Sequence, residues 1–168
     1  MLSILKAGPS EFTMIASLAS QIWTKHYIPI IGKKQVEYML KTIYNPTSLQ
    51  EQEWAGQEFY ILKDGGNPIG FISFRKEKKG IYFLHKFYID SKKQNKGAGE
   101  KVFYRVFEKM LPAQCVRLTV NRQNYKSINF YFKLGFKIES VADFNIGKGY
   151  FMNDFIMCWK KKTDGNRN

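Results

Sequence analysis

The sequence predicts a mixed α/β fold in which helices flank a central, mostly antiparallel sheet of about seven strands. Two observations indicate this fold. Apolar residues recur at helical spacing up to Trp54, and the period changes at Phe59 to one typical of strands. After Ile89, helical segments alternate with apolar strand-like runs. The length of 168 residues suits one domain, which we expect to cover residues 1–160, with a flexible polar tail over residues 161–168.

The N-terminal part is predicted to contain one strand and three helices. The strand covers residues 2–6, and the first helix has either Pro9 in its first turn or Ser10 as its cap. Residues 27–32 are a linker with bulky apolar side chains. The second helix stops before Pro46, and Thr47 or Ser48 begins a short third helix.

The rest of the chain is predicted to alternate between strands and two helices. Glycine-bearing turns join three strands into an antiparallel meander. A helix then crosses over to a strand that is parallel to its predecessor. We expect strands at residues 59–62, 68–74, 81–89, 116–120, 136–141 and 150–159, and helices at residues 97–110 and 124–134.

The charge balance favours an anionic partner. There are 27 Lys and Arg residues against 14 Asp and Glu residues, which gives a net charge of +13. A nucleotide-bearing cofactor, an acidic substrate and a nucleic acid all fit this charge. The basic residues, however, form no stripe interleaved with aromatic residues and no recognised nucleic-acid-binding motif. We therefore expect no nucleic-acid partner.

The cysteines and histidines indicate neither a disulfide framework nor a metal site. Cys115 and Cys158 lie in apolar runs, and no CxxC spacing occurs. We expect buried free thiols in a reducing compartment, the cytoplasm. His26 and His85 form no metal-ligand spacing with them. We see no signal peptide and no apolar run long enough for a membrane span, so no membrane partner is expected.

The most informative stretch is Gln-Asn-Lys-Gly-Ala-Gly at residues 94–99. It lies between a predicted strand and a predicted helix, where free backbone N–H groups and the helix dipole favour an anion. The stretch therefore predicts a pyrophosphate site. A tight turn without a ligand is the alternative. A dinucleotide-binding fold fits poorly, because its glycines follow the first strand of a parallel sheet, whereas these follow about four strands of a meander.

Two motifs in this order carry a family resemblance. The pattern Ile89-x4-Gln94-x2-Gly97-x-Gly99 resembles the acyl-CoA motif of the GNAT superfamily of N-acetyltransferases, usually written (Q/R)-x-x-G-x-(G/A). The pattern Asn124-x2-Ser127-x3-Tyr131-x3-Gly135-Phe136 resembles the helix that follows it in that superfamily. The resemblance covers nearly all of the chain. It implies a GNAT-like fold, acetyl-CoA as the cofactor and acetyl transfer to an amine.

The resemblance also implies a set of cofactor contacts. Backbone groups of a strand bind the pantetheine arm as an added strand would, and one of their N–H groups polarises the thioester carbonyl. The N–H groups of residues 95–99 bind the pyrophosphate. The cofactor-binding residues that we expect are Phe87, Tyr88, Ile89, Gln94, Asn95, Lys96, Gly97, Ala98, Gly99, Glu100, Asn124 and Lys133.

Proton transfer is assigned to Tyr131 and His85. By resemblance, Tyr131 is the general acid for the departing thiolate, with a core aromatic as the alternative. Asn124 is either a pantetheine contact or an N-cap. His85 is our candidate general base, because its ordinary pKa near 6.5 suits the task. A packed strand histidine is its alternative. Glu77, Asp90 or a water molecule are other candidates for the base.

The early helices are predicted to bind the acceptor. Trp23, Tyr27 and Tyr44 belong to an aromatic-rich set, and aromatic faces attract ammonium groups. This segment resembles a bacterial subgroup that includes polyamine acetyltransferases, although core packing also explains the rings. A net charge of +13 repels a polycation unless carboxylates are concentrated locally. The candidates for this are Glu37, Glu51, Glu53 and Glu58.

The sequence thus predicts an acetyl-CoA-dependent N-acetyltransferase that acts on a primary amine of a small molecule, a polyamine among them. The amine would attack the thioester directly in a ternary complex. A non-catalytic acyl-CoA-binding module and an enzyme that acts on a protein or peptide N-terminus are the alternatives. The sequence leaves open a homodimer through the aromatic C-terminal strand.

Overall fold

The computed structural model describes residues 1–90 and 97–162. Its seven strands form one sheet in the order β1-β2-β3-β4-β5-β7-β6. This confirms the predicted fold class, a mixed α/β fold with a mostly antiparallel sheet. The strands are β1 (Leu2–Ala7), β2 (Glu58–Asp64), β3 (Asn67–Lys78), β4 (Ile81–Ile89), β5 (Cys115–Asn121), β6 (Lys137–Gly147) and β7 (Tyr150–Lys160).

Six α-helices accompany the sheet in the described part of the chain. They are α1 (Phe12–His26), α2 (Ile28–Ile31), α3 (Lys33–Ile43), α4 (Pro46–Trp54), α5 (Ala98–Lys109) and α6 (Tyr125–Lys133). None of the helices within residues 1–90 and 97–162 has the length and the apolar character required to cross a membrane.

The chain divides into two compact units. The first unit comprises Met1–Arg75 and Leu84–Val106, and the second comprises Lys76–Phe83 and the described residues from Phe107 onward. The boundaries fall within β3, β4 and α5. The described cofactor candidates, Phe87 to Ile89 and Gly97 to Glu100, belong to the first unit, and Asn124, Tyr131 and Lys133 belong to the second.

The first unit packs α1 and α4 on the strands that follow them. The α1 residues Ile15 and Ala19 are fully buried, and Phe12 meets Phe59 of β2 edge to face with ring centroids 5.3 Å apart. The four-residue spacing of Ile15 and Ala19 places both on one helix face, as the apolar period predicts. In α4, the fully buried Leu49 likewise marks the helix face that packs inward.

Two local expectations in the first unit were wrong. The predicted linker at residues 27–32 contains α2, because Pro29 lies in the first turn, where a missing N–H costs nothing. Gly32 then ends α2 with a φ of 82°. The cap of α4 is Asn45, whose Oδ1 accepts a hydrogen bond from the Ser48 N–H at 2.9 Å. Thr47 and Ser48 lie inside the helix. Pro9 does occupy a first turn, that of a short 3₁₀ helix before α1.

The second unit is built on antiparallel pairs of β5 with β7 and of β7 with β6. Leu118 of β5, Met157 of β7 and Phe136 form its buried core. Strand β6 extends to Gly147, six residues beyond the predicted end. The sequence missed this extension because β6 is largely exposed, so its outer half lacks the apolar alternation that marks a buried strand.

Candidate active site

The described part of the predicted pyrophosphate site lies at the start of α5. Gly97 has a φ of 82°, and α5 begins at Ala98. Ala98, Gly99 and Glu100 form the first turn, whose N–H groups have no partner inside the helix. Apart from its chain neighbours, none of the residues that the structure describes has an atom within 4 Å of a Cβ added at Gly97. Gln94, Asn95 and Lys96 lie outside the described residues.

The end of β4, where Phe87, Tyr88 and Ile89 lie, is held closely against β3. A Cβ at Gly70 of β3 would overlap the Tyr88 carbonyl oxygen and lie 2.9 Å from the Ile89 Cα. The Asp90 N–H donates to the Ile69 carbonyl at 2.7 Å. The backbone predicted to bind pantetheine is therefore positioned by a glycine. We did not single out Gly70, although a glycine inside a predicted strand is typical of such a close approach.

The three predicted acceptor residues lie together in the first unit. Trp23 stacks on Tyr27 with ring centroids 4.3 Å apart and contacts Tyr44 at 5.0 Å. The Tyr44 hydroxyl donates to the Tyr88 hydroxyl at 3.3 Å. Trp23 and Tyr44 are buried, whereas Tyr27 and Tyr88 are half-buried. We call Trp23, Tyr27, Tyr44 and Tyr88 the aromatic cluster; it brings the predicted acceptor residues to the β4 residue Tyr88.

A buried lysine, Lys86, lies beside the aromatic cluster. Its Nζ donates to the Oε1 atoms of Gln52 and, at 3.1 Å, of Gln57, and lies 5.6 Å from the centroid of the Tyr44 ring. Burial lowers the pKa of Lys86 to about 7. Sequence reasoning missed this residue. Lys86 lies in β4 two positions after Leu84 and two before Tyr88, where the alternation of a strand predicts an inward-facing apolar residue. A charged residue at such a position was the available signal.

The environment of His85 weakens it as a proton acceptor. Burial, followed by the nearby charges of Lys86 and Arg75, lowers the pKa of His85 to about 3. The imidazole is thus neutral at pH 7 but accepts a proton only weakly, which disfavours it as a general base. Of the other candidates for the base, Asp90 is buried and Glu77 is exposed.

Three of the four carboxylates considered for a polycation site have partners in the structure. Glu37 pairs with Lys33 at 3.7 Å, and Glu58 pairs with Lys6 at 3.3 Å. Glu53 accepts a hydrogen bond from the Gln50 amide at 2.8 Å. The two lysines partly offset the negative charge that Glu37 and Glu58 offer to a polyamine, whereas the neutral Gln50 amide leaves the charge of Glu53 in place.

The second unit contains the predicted general acid. Tyr131 is buried on α6, with its ring 5.5 Å from that of Phe136. Asn124 is the N-cap of α6, since its Oδ1 accepts a hydrogen bond from the Ser127 N–H at 3.3 Å. The structure therefore shows the capping role of Asn124. Lys133 is exposed in the last turn of α6.

A buried carboxyl, Asp154 of β7, was also missed. It is 5% exposed and lies opposite Asn121 of β5 in the strand register. Burial, the largest effect, raises its pKa to about 6, although a hydrogen bond from Thr119 and the charge of Arg122 oppose the change. The signal in the sequence was a single acid within the largely apolar run at residues 150–159.

The cysteines are free and buried, as expected. Their Sγ atoms lie 3.0 Å apart, and burial together with Cys115 raises the pKa of the Cys158 thiol to about 12. Within residues 1–90 and 97–162, no group of three or more His, Cys, Asp or Glu side chains is arranged to hold a metal ion.

Comparisons with known proteins agree with this architecture. The model of the Acetyltransferase (GNAT) family matches residues 24–136. The structure resembles PaiA N-acetyltransferase from Thermoplasma acidophilum in complex with coenzyme A, with a TM-score of 0.79 and 23% identity over 96% of this chain and 99% of that one. A GCN5-related N-acetyltransferase from Rhodopseudomonas palustris gives 0.77 and 13% identity over 95% of each chain.

A chimeric spermidine N-acetyltransferase, SpeG, from Vibrio cholerae and hSSAT is also similar. Its TM-score is 0.70, with 16% identity over 95% of each chain. At these identities the likeness concerns the fold. No curated protein matches the sequence significantly.

Proposed function

Since the chain belongs to the Acetyltransferase (GNAT) family and is therefore an acetyltransferase that uses acetyl-CoA, we propose that its acceptor is the primary amine of a small molecule. The observation that carries this proposal is the aromatic cluster. It joins the predicted acceptor residues to Tyr88, whose backbone belongs to the predicted pantetheine strand. Aromatic faces beside the cofactor strand suit a compact ammonium group.

We assign cofactor binding mainly to backbone groups. The N–H groups at the start of α5, from Gly97 to Glu100, would bind the pyrophosphate together with residues 94–96 of the same motif. The backbone of Phe87, Tyr88 and Ile89 would bind the pantetheine arm. Asn124 would contribute to pantetheine binding, and Lys133 would meet a phosphate. The pyrophosphate assignment is supported by the positive φ of Gly97 and by the space that the described residues leave around it.

The reaction that we propose is direct attack in a ternary complex. The neutral amine nitrogen forms a bond to the thioester carbonyl carbon, and the carbon–sulfur bond breaks. Tyr131 gives its hydroxyl proton to the departing CoA thiolate. The nitrogen loses the extra proton that it carries after the attack, and a proton returned through water restores the Tyr131 hydroxyl, so that the products are the amide and the CoA thiol. An acyl-enzyme on cysteine is disfavoured, because both thiols are buried and the pKa of Cys158 is raised to about 12.

We place monoamines ahead of polyamines among the acceptors. The similarity to a spermidine N-acetyltransferase and the aromatic cluster favour a polyamine. The lysine partners of Glu37 and Glu58 and the net charge of +13 oppose it. We also propose a cytoplasmic location, since two buried free thiols suit a reducing compartment. The exposed apolar residues Ile138, Phe144 and Phe151 of β6 and β7 support a homodimer.

A panel of acceptors tests the proposal. CoA release from acetyl-CoA is measured with an arylalkyl monoamine, an amino acid, spermidine and a short peptide, and mass spectrometry identifies the acetylated nitrogen. We expect the monoamine to give the highest kcat/KM. Acetylation of the peptide N-terminus alone would identify a peptide-modifying enzyme. Binding of acetyl-CoA without acetylation of any amine would identify a non-catalytic module.

A further inference from the structure

The two cysteines of the chain form a close pair within the second unit. The Sγ atoms of Cys115 and Cys158 lie 3.0 Å apart, a distance at which either thiol can donate its proton to the other. Carbon atoms in ordinary contact are roughly 3.5–4.0 Å apart, and sulfur is the larger atom. The two sulfur atoms therefore face each other directly, with no group between them. The sequence contains no third cysteine that could compete for either thiol.

The strand register explains why the two thiols meet. Cys115 lies opposite Lys160 and Cys158 lies opposite Arg117, so the cysteines are diagonal neighbours on one face of the β5–β7 pair. The Cα atoms of diagonal neighbours are usually about 7–8 Å apart, at the upper limit for a disulfide. The Sγ separation shows that these two side chains lean toward each other across the diagonal. A disulfide bond of roughly 2.0 Å requires a further approach of about 1 Å.

The position of the pair at the end of the two strands permits this approach. Cys115 is the first residue of β5, and only Trp159 and Lys160 follow Cys158 in β7. Strand ends open at a lower free-energy cost than strand centres. The Cys115 N–H donates to the Gly80 carbonyl at 3.1 Å, which holds the backbone of Cys115 in place. The thiols can therefore close on each other without a rearrangement of the central part of the sheet.

The surroundings of the pair favour a small oxidant and a slow reaction. Cys115 is 8% exposed and Cys158 is 6% exposed, so a bulky reagent has little access to either sulfur. Burial, followed by the hydrogen bond with Cys115, raises the pKa of the Cys158 thiol, whereas the charge of Arg117 opposes this change. The reactive thiolate is therefore scarce at neutral pH. In a reducing compartment the pair remains as two thiols.

We propose that Cys115 and Cys158 are a modification site at which a small peroxide forms a reversible disulfide within the chain. One thiolate attacks a peroxide oxygen, the oxygen–oxygen bond breaks, and the sulfur becomes a sulfenic acid. The second thiolate attacks this sulfur, so that the sulfur–sulfur bond forms, the sulfur–oxygen bond breaks and hydroxide leaves as water. The two cysteines together lose two electrons and two protons, and hydrogen peroxide is reduced to two water molecules.

The disulfide would stabilise the second unit. It joins β5 to β7 and closes a loop across the 43 positions that separate the two cysteines. This loop contains α6 and β6. A cross-link that closes a long loop stabilises a protein mainly by restricting its unfolded chain. The thermal midpoint should therefore rise by about 5–10 °C on oxidation and return to its first value on reduction. The modification thus protects the fold under oxidising conditions.

Mass spectrometry of the intact protein tests the site. The folded wild-type protein is incubated with hydrogen peroxide and then denatured in the presence of a thiol-alkylating reagent. We expect a monomer about 2 Da lighter than the reduced protein, without alkylation, and one linked peptide that contains both cysteines. Dithiothreitol should restore two alkylated thiols and the lower thermal midpoint. Cys115→Ala and Cys158→Ala are the controls, and neither should show the loss of mass or the rise in midpoint.

Other products would contradict the proposal. Thiols that are still alkylated after peroxide treatment, a disulfide between two chains, or sulfinic and sulfonic acids without the internal disulfide would each overturn it. A disulfide that leaves the thermal midpoint unchanged or lowers it would overturn the protective role. The wild-type measurements decide the matter even if an alanine variant fails to fold. They use no acetyl acceptor, so their outcome is independent of the proposed function.

Discussion

The two units of the chain differ in the kind of functional group that they carry. The first unit contains close-packed backbone, glycines and the aromatic cluster, and its buried cation, Lys86, is held by two glutamine side chains. The second unit contains two buried side chains that carry an ionisable proton, Tyr131 and Asp154. The difference suggests a division between binding and chemistry. Changes in the first unit should alter affinity and stability, and changes in the second should alter turnover.

The largest expected effect is that of Tyr131→Phe. Loss of the hydroxyl removes the proposed proton donor but keeps the ring that packs on Phe136. We expect turnover to fall about 10²- to 10⁴-fold, while the dissociation constant of acetyl-CoA changes less than about 2-fold. Steady-state kinetics and calorimetric titration measure the two quantities. Tyr125→Phe, at an exposed position of the same helix, is the control. Equal losses of turnover and affinity would remove Tyr131 from the acid role.

In the first unit, Gly70→Ala should instead lower stability and the affinity for acetyl-CoA. Its Cβ would overlap the Tyr88 carbonyl and displace the end of β4. We expect a loss of about 1–3 kcal/mol in stability, as for other overpacked sites, and weaker binding of acetyl-CoA. Urea unfolding and ligand titration are the measurements. Gly8→Ala is a suitable control, because the nearest atom to its Cβ lies 3.9 Å away. If Gly70→Ala lowers stability but leaves the affinity for acetyl-CoA unchanged, the end of β4 does not bind pantetheine.

The sequence predicted the elements of the fold better than the contacts that tune the site. Strand β4 and helix α6 follow from local apolar periods and turn residues, and the aromatic cluster follows from the composition of the early helices. Lys86 and Asp154 were missed because their environments depend on distant residues. The glutamine partners of Lys86 lie 34 and 29 positions away along the chain. The burial of Asp154 depends on its pairing with β5 and β6.

These two buried charges should link stability to pH in opposite directions. The pKa of Lys86 is lowered from 10.5 to about 7. The unfolded chain therefore binds more protons between these values, and stability should rise with pH across that window. Near pH 4 to 6, Asp154 acts oppositely, and stability should fall as the pH rises. Each slope is at most about 1.4 kcal/mol per pH unit.

Substitution of Lys86 or of Asp154 should remove only the pH dependence of stability that the substituted residue causes. Lys86→Met removes the titrating amine and should remove the rise above pH 7, whereas Asp154→Asn should remove the fall below pH 6. Urea unfolding of both variants and the wild type from pH 4.5 to 9.5 provides the measurement. A slope that survives the matching substitution would assign the linkage to other groups.

The smallest expected effect compares two glycines that share a positive φ. Gly97 and Gly32 both have a φ of 82°, and a Cβ at either position would have no atom within 4 Å. Alanine at either site should therefore destabilise the fold through backbone strain, by about 1–2 kcal/mol, because glycine adopts a positive φ at little cost and alanine does not. The binding of acetyl-CoA should distinguish them. Gly97 belongs to the proposed pyrophosphate site, where the cofactor would occupy the space beside it, whereas Gly32 lies between α2 and α3. We expect Gly97→Ala to weaken acetyl-CoA binding several-fold and Gly32→Ala to leave it unchanged, as measured by titration of both variants. Equal affinities in the two variants would show that the space beside Gly97 is empty in the complex, and the pyrophosphate would then have to be bound elsewhere.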